Sequence, residues 1–274
     1  MNSTTTPSTR LATSADGTEI AYEVHGSGPA LVLVDGALCH RAMGPARGLA
    51  KELADSFTVY AYDRRGRGDS GPGALPYAAA REVEDLLALI NEAGGTAHVL
   101  GVSSGAALAL EAARQGAPID RLAAYEVPFI LDDTRAGNDP ELPRRLQELV
   151  DDGRRGDAVR LFMRTVGVPA PFVVLMRFMP AWKQLTAAAH TLPYDFAFVI
   201  EHQQGSPLPA GYYQGVAPET LVIAGGKSPA YMRNAQAAVA DAVPAGRVET
   251  LAGQTHMVKA KAVAPAVARF FLGS

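Results

Sequence analysis

Five stretches of the chain are almost continuously apolar and rich in β-branched residues. They are "ALVLVDG" (Ala30–Gly36), "FTVYAYD" (Phe57–Asp63), "AHVLGVS" (Ala97–Ser103), "RLAAYEV" (Arg121–Val127) and "TLVIAGG" (Thr220–Gly226). Runs of this kind are what strands covered on both faces require. A sixth, "RVETLAG" (Arg247–Gly253), alternates more and reads as a partly exposed strand. Between them the period changes. Tyr77–Ala93 carries Val83, Leu86, Leu87 and Ile90 at helical spacing, and Gly105–Gln115 is rich in alanine and leucine. Pro229–Ala242 and Ala260–Leu272 are predicted as the last two helices. Upstream, "SADGTEIAYEVHG" reads as a turn and hairpin, and the first ten residues as a disordered lead-in. Strands alternating with helices predict an α/β fold with a largely parallel sheet.

The alternation fails in one place. From about Pro128 to Ala217 the pattern is helical, broken by proline and glycine, and studded with Phe162, Met163, Phe172, Met176, Phe178, Met179, Trp182, Phe196 and Phe198. An insertion of roughly ninety residues is too long for a connecting loop. It predicts a helical cap over residues 128–217, inserted into a core formed by 1–127 and 218–274.

Composition narrows the field. With 48% hydrophobic and 19% charged residues and a net charge of −3, nothing favours nucleic acid or an anionic membrane surface as a partner. Cys39 is the sole cysteine, so no intrachain disulfide or thiolate cluster can form. The polar start "MNSTTTPSTR" lacks a signal-peptide core, and no run reaches the ~20 apolar residues of a membrane span. The expectation is a soluble cytoplasmic protein, compatible with a homodimer.

The chemistry is concentrated in "GVSSG", which follows one buried strand and opens a helix. A nucleophile on a sharp strand-to-helix turn needs small residues two before and two after it. Gly101 and Gly105 satisfy that for Ser103, whereas Ser104 would be flanked by Val102. Ser103 is therefore the candidate nucleophile, and the Ser104 N–H a candidate oxyanion donor. A second donor is expected in "DGALCH", from Gly36 or Ala37; Asp35 there either orders the loop or hydrogen-bonds a substrate. A serine hydroxyl needs a base. Of six histidines, His256 lies in "GQTH", between the last short strand and the final helix, where the order Ser…acid…His puts it. His190, in the cap, is a substrate-contact candidate.

"HGSGPALVLVDG", "YDRRGRGDS", "GVSSG" and "GQTH", in this order, resemble the α/β-hydrolase superfamily over nearly the whole chain. The resemblance implies an eight-stranded, mostly parallel sheet with a helical cap inserted after strand 6. It also implies an acid just after the penultimate strand, where this chain reads "GGKSP" and has Ser228 instead. Glu126 closes the strand after the nucleophile helix. In a sheet of the implied order that strand lies only ~5 Å from the nucleophile's own. A glutamate ending an apolar run needs a partner, so Glu126 is the expected acid, with Asp132 and Asp133 as fallbacks.

This displaced acid is similar to the arrangement of the fungal zearalenone lactonases. They share the Asp-Gly loop, the Ser-Ser elbow, the Glu-x-Pro stretch and a cap tryptophan, here Trp182 in "MPAW". The resemblance implies a serine hydrolase acting without cofactor or metal on a medium-sized hydrophobic ester or lactone, with Trp182 at the substrate. A C–C hydrolase, acyltransferase or perhydrolase would use the same residues. A slow-turnover ligand-binding homologue is the alternative outside catalysis.

Overall fold

The computed structural model describes residues 8–273. Eight strands form one sheet: β1 (Arg10–Thr13), β2 (Glu19–His25), β3 (Ala30–Val34), β4 (Thr58–Tyr62), β5 (Ala97–Val102), β6 (Ile119–Tyr125), β7 (Glu219–Gly225) and β8 (Gly246–Leu251). Their order across the sheet is β1-β2-β4-β3-β5-β6-β7-β8. β1 and β2 form the expected hairpin, and β2 meets β4 antiparallel; every later pairing is parallel. Residues 1–7 of the expected lead-in lie outside the described residues. Its last residue, Arg10, already belongs to β1 and pairs with Tyr22.

The helices follow as the periodicity predicts, within a residue or two at their ends. α1 (Ala46–Leu53) was not foreseen, because its buried stripe of Ala46, Leu49, Ala50 and Leu53 fills only two turns. α2 (Ala79–Glu92) and α3 (Ser104–Arg114) come next. Between β6 and β7 the described chain carries α4 (Leu142–Asp151), α5 (Arg155–Thr165), α6 (Ala170–Met176), α7 (Trp182–Ala188) and α8 (Leu192–Phe196), and no strand. α9 (Ala230–Ala242) and α10 (Ala260–Leu272) complete the fold.

The central strands need apolar residues at every position because helices cover both faces of the sheet. All six residues of β5 are buried. On one face α2, α3, α9 and the inserted helices share a core with Val32, Val99, Leu122 and Val222. On the other, α1 and α10 enclose Leu31, Leu100, Tyr125 and Ile223. At about 1.5–3 kcal/mol for each large apolar side chain removed from water, this double layer holds the carboxyl ends of β3, β5, β6 and β7 rigidly side by side. Edge strand β8 has one half-open face, which accounts for its alternating sequence.

Candidate active site

Ser103 stands between β5 and α3 with φ 55° and ψ −126°, a conformation that side chains rarely adopt. Such a residue costs on the order of 1–3 kcal/mol and persists only where its surroundings enforce it. Here the surroundings are steric. A Cβ on Gly101 would lie 2.5 Å from the Ala106 Cα, and one on Gly105 would lie 2.3 Å from the Val34 carbonyl oxygen. Only glycine at both positions lets the turn close, as the spacing predicted. The Ser103 N–H donates to the Tyr125 carbonyl at 2.9 Å, tying the turn to β6.

His256 reaches the serine from the loop after β8. Its Nε2 lies 3.1 Å from Ser103 Oγ, and its Nδ1 3.1 Å from Glu126 Oε2. With a carboxylate facing Nδ1, the proton of a neutral imidazole belongs on Nδ1, which leaves Nε2 as the acceptor for the serine hydroxyl. Glu126 is fully buried, while the His256 side chain is 41% exposed, so the imidazole lies between a sealed carboxyl group and the partly exposed Ser103.

The turn out of β6 holds the acid. Glu126 has φ 50°, and its N–H donates to the Ile223 carbonyl. Its Oε1 accepts from the Gly225 N–H at 2.6 Å, leaving Oε2 for His256. The next residue is clamped by Gln236 on α9, whose side-chain amide both accepts from the Val127 N–H and donates to the Val127 carbonyl, each at 2.9 Å. The preceding residue works on the base. Tyr125 donates its hydroxyl to the carbonyl of Thr255 at 2.6 Å, one residue before His256. Burial pushes that phenol up to about 12, so it remains a donor at neutral pH. Glu126 and the loop that carries His256 are thus positioned by consecutive residues of one strand end.

Ser228, in the loop where the superfamily places its acid, is buried, and its Oγ has no partner among the described residues. Asp132 accepts instead from Thr134 and Asn234, and Asp133 is exposed. Of the three acids considered, the structure brings Glu126 to the histidine.

Gly36 packs against the serine so closely that a Cβ there would lie 3.0 Å from the Ser103 Cβ. The Gly36 carbonyl accepts from Arg67 Nη1 at 2.7 Å. Because a trans peptide points its C=O and N–H in opposite directions, the Ala37 N–H faces away from that guanidinium. Among the described residues, the N–H groups of Ala37 and Ser104 donate to no protein acceptor. Ser104 is the first residue of α3, where unpaired N–H groups and the helix dipole favour negative charge. The Gly36 N–H likewise donates to no protein acceptor among the described residues, so Gly36, Ala37 and Ser104 all stay candidates for the oxyanion role.

The expected substrate contacts fare differently. Asp35 is buried with its carboxylate turned toward Gly44 and Cys39, and desolvation pushes it up to about 7. Its Oδ2 has no hydrogen-bond partner among the described residues. Trp182 packs on α5, where its ring lies 3.4 Å from a Cβ built on Gly156. His190 Nδ1 meets the Ala187 carbonyl at 3.0 Å, and partial burial lowers its pKa.

The Alpha/beta hydrolase family model matches residues 24–266. The chain belongs to the alpha/beta hydrolase family. A solved alpha/beta hydrolase from Sphaerobacter thermophilus DSM 20745 is 48% identical to it, with 96% of this chain and all of that one covered and a TM-score of 0.87. An enol-lactonase from Burkholderia xenovorans LB400 shares the fold at 20% identity, with 96% of this chain and 98% of that one covered and a TM-score of 0.68. N-formylmaleamate deformylase of Pseudomonas putida is 34% identical over 149 residues, which are 51% of this chain and 53% of the deformylase. This alpha/beta hydrolase thus aligns with only about half the length of that curated relative.

Two groups near the site were not anticipated. Arg64 and Arg67 belong to the "YDRRGRGDS" motif, and their signal was three arginines directly after a buried strand. Asp195 lies in the inserted segment, where nothing distinguishes it from a surface aspartate, yet it is 2% exposed.

Proposed function

We propose that this alpha/beta hydrolase is a serine hydrolase that cleaves an ester or lactone of a medium-sized hydrophobic substrate. The observation that carries this reading is the unbroken relay from Ser103 Oγ through His256 to the fully buried Glu126. His256 takes the hydroxyl proton as Ser103 attacks the carbonyl carbon, and Glu126 stabilises the imidazolium that forms. The Ala37 and Ser104 N–H groups receive the oxyanion. Collapse expels the alcohol, protonated by His256, and leaves an acyl-serine. Water, deprotonated by the same imidazole, then releases the acid.

The hydrophobic substrate class rests on the aromatic and methionine content of the segment between β6 and β7. Within that class a resorcylic macrolactone such as zearalenone is the specific candidate, on the strength of the Asp-Gly loop, the Ser-Ser elbow, Glu126 and Trp182. The partial match to N-formylmaleamate deformylase favours a second reading, in which the same machinery hydrolyses a small N-formyl amide.

The test is labelling with a fluorophosphonate, followed by turnover of 4-nitrophenyl esters, macrolactones and N-formyl amides with Ser103→Ala as blank. Stoichiometric labelling at Ser103 and lactone or ester turnover absent from the blank are expected. Failure of the wild-type enzyme to label overturns the nucleophile assignment, and preference for the formyl amide selects the second reading.

A further inference from the structure

Behind the oxyanion loop lies a buried charge network that the reaction described above does not use. Asp195, on α8, is 2% exposed. Its Oδ1 accepts from Ser104 Oγ and from Arg64 Nη1, each at 2.7 Å, and its Oδ2 accepts from Arg67 Nη2 at 2.7 Å. Arg67 in turn donates from Nη1 to the Gly36 carbonyl at 2.7 Å and from Nε to Thr191 Oγ1 at 2.9 Å. Arg64 donates to the Asp35 carbonyl at 3.3 Å and is held by both oxygens of Glu82. Two arginines are matched by two carboxylates, so the cluster is neutral although it is sealed from water.

We infer that Asp195 and Arg67 are positioning residues for the oxyanion site, through which the inserted segment sets the aim of both oxyanion donors. Arg67 pins the Gly36 carbonyl and thereby orients the peptide plane whose other end is the Ala37 N–H. Asp195 holds the Arg67 guanidinium in place and also grips the side chain of Ser104, whose N–H is the second donor. One carboxylate therefore braces both halves of a site built from β3–α1 and β5–α3 connections. A buried ion pair is a weak source of stability compared with apolar side chains of the same volume. What this pair supplies is geometry, in a reaction where about 1 Å of misplacement can cost about 10²-fold in rate. Neither residue hydrogen-bonds Ser103.

The inference rests on Ser103 being the nucleophile, and the experiment separates the two. Asp195→Asn removes the charge at constant shape. Thr191→Val removes one Arg67 contact with no charge left unpaired, and serves if the first variant does not fold. Steady-state turnover of 4-nitrophenyl acetate is measured beside the affinity for an aryl trifluoromethyl ketone. Its hemiketal with a serine carries an oxyanion that 19F NMR reports. Expected for Asp195→Asn is a fall in kcat of about 10²-fold with KM within about threefold, and a loss of ketone affinity that parallels kcat/KM. Thr191→Val is expected to show the same pattern at about tenfold. Folded variants with wild-type kcat and ketone affinity overturn the inference, as does a kcat loss matched by the unfolded fraction alone. A wild-type enzyme that forms no hemiketal, or a Ser103→Ala variant that forms it equally, overturns the nucleophile assignment and the inference with it.

Discussion

Replacing Glu126 with glutamine tests the displaced acid with little steric disturbance. Gly225 presents a buried N–H to Oε1 at 2.6 Å, and an amide can satisfy that donor only with its oxygen. The glutamine NH2 is then forced toward His256 Nδ1, at the position 3.1 Å away now held by Oε2. Facing a donor, Nδ1 must become an acceptor, so the imidazole proton moves to Nε2. There it confronts the serine hydroxyl it should deprotonate. In serine proteases the corresponding acid-to-amide change lowers kcat about 10⁴-fold, equivalent to about 5.5 kcal/mol of transition-state stabilisation. The same factor is expected here, with KM little changed because Glu126 is sealed from the substrate side. The assay is 4-nitrophenyl acetate turnover from pH 6 to 9, with thermal melts to confirm folding. A folded Glu126→Gln enzyme within tenfold of wild type would refute the assignment.

Asp35→Asn should change the pH dependence of stability. The folded protein holds the Asp35 carboxyl at about 7 against an unfolded value of 3.8, so between those values the native state keeps a proton that the unfolded chain releases. Stability is therefore greatest below the lower value and declines as pH rises to the upper one, by about 4 kcal/mol at most. In urea denaturation, Asp35→Asn should gain on wild type between pH 4.5 and pH 8; an equal difference at both pH values contradicts this. Gly101→Ala places a methyl 2.5 Å from the Ala106 Cα, so either the elbow or α3 must shift. A loss of about 2–3 kcal/mol, several degrees in Tm, is expected together with a large fall in kcat; unchanged kinetics would show that the turn tolerates the side chain.

The elbow was legible because its causes are local. A serine forced to positive φ needs glycine two residues to either side, and that constraint is written within the five residues "GVSSG". The strands were legible for a similar reason, since burial on both faces demands continuous apolar runs. His256 could be read from chain order, although it meets a serine 153 positions away. Glu126 lay between these cases. The sequence could say that "GGKSP" lacked an acid and that a glutamate ended a buried run. The neighbouring of β5, β6 and β7 was needed to put that carboxylate on the imidazole.

The inserted segment was least legible. Its aromatic residues marked a helical unit but not which of them face substrate, and the packing of Trp182 on α5 came from tertiary contacts. By itself the sequence determined the alternating sheet, the serine on the sharp turn and the histidine that meets it, because each follows from sterics or from order along the chain. Only the tertiary structure decided that Asp195 reaches Ser104, 91 positions earlier, and Arg67, 128 positions earlier. A buried carboxylate is told from a surface one by what surrounds it, and those surroundings come from distant parts of the chain.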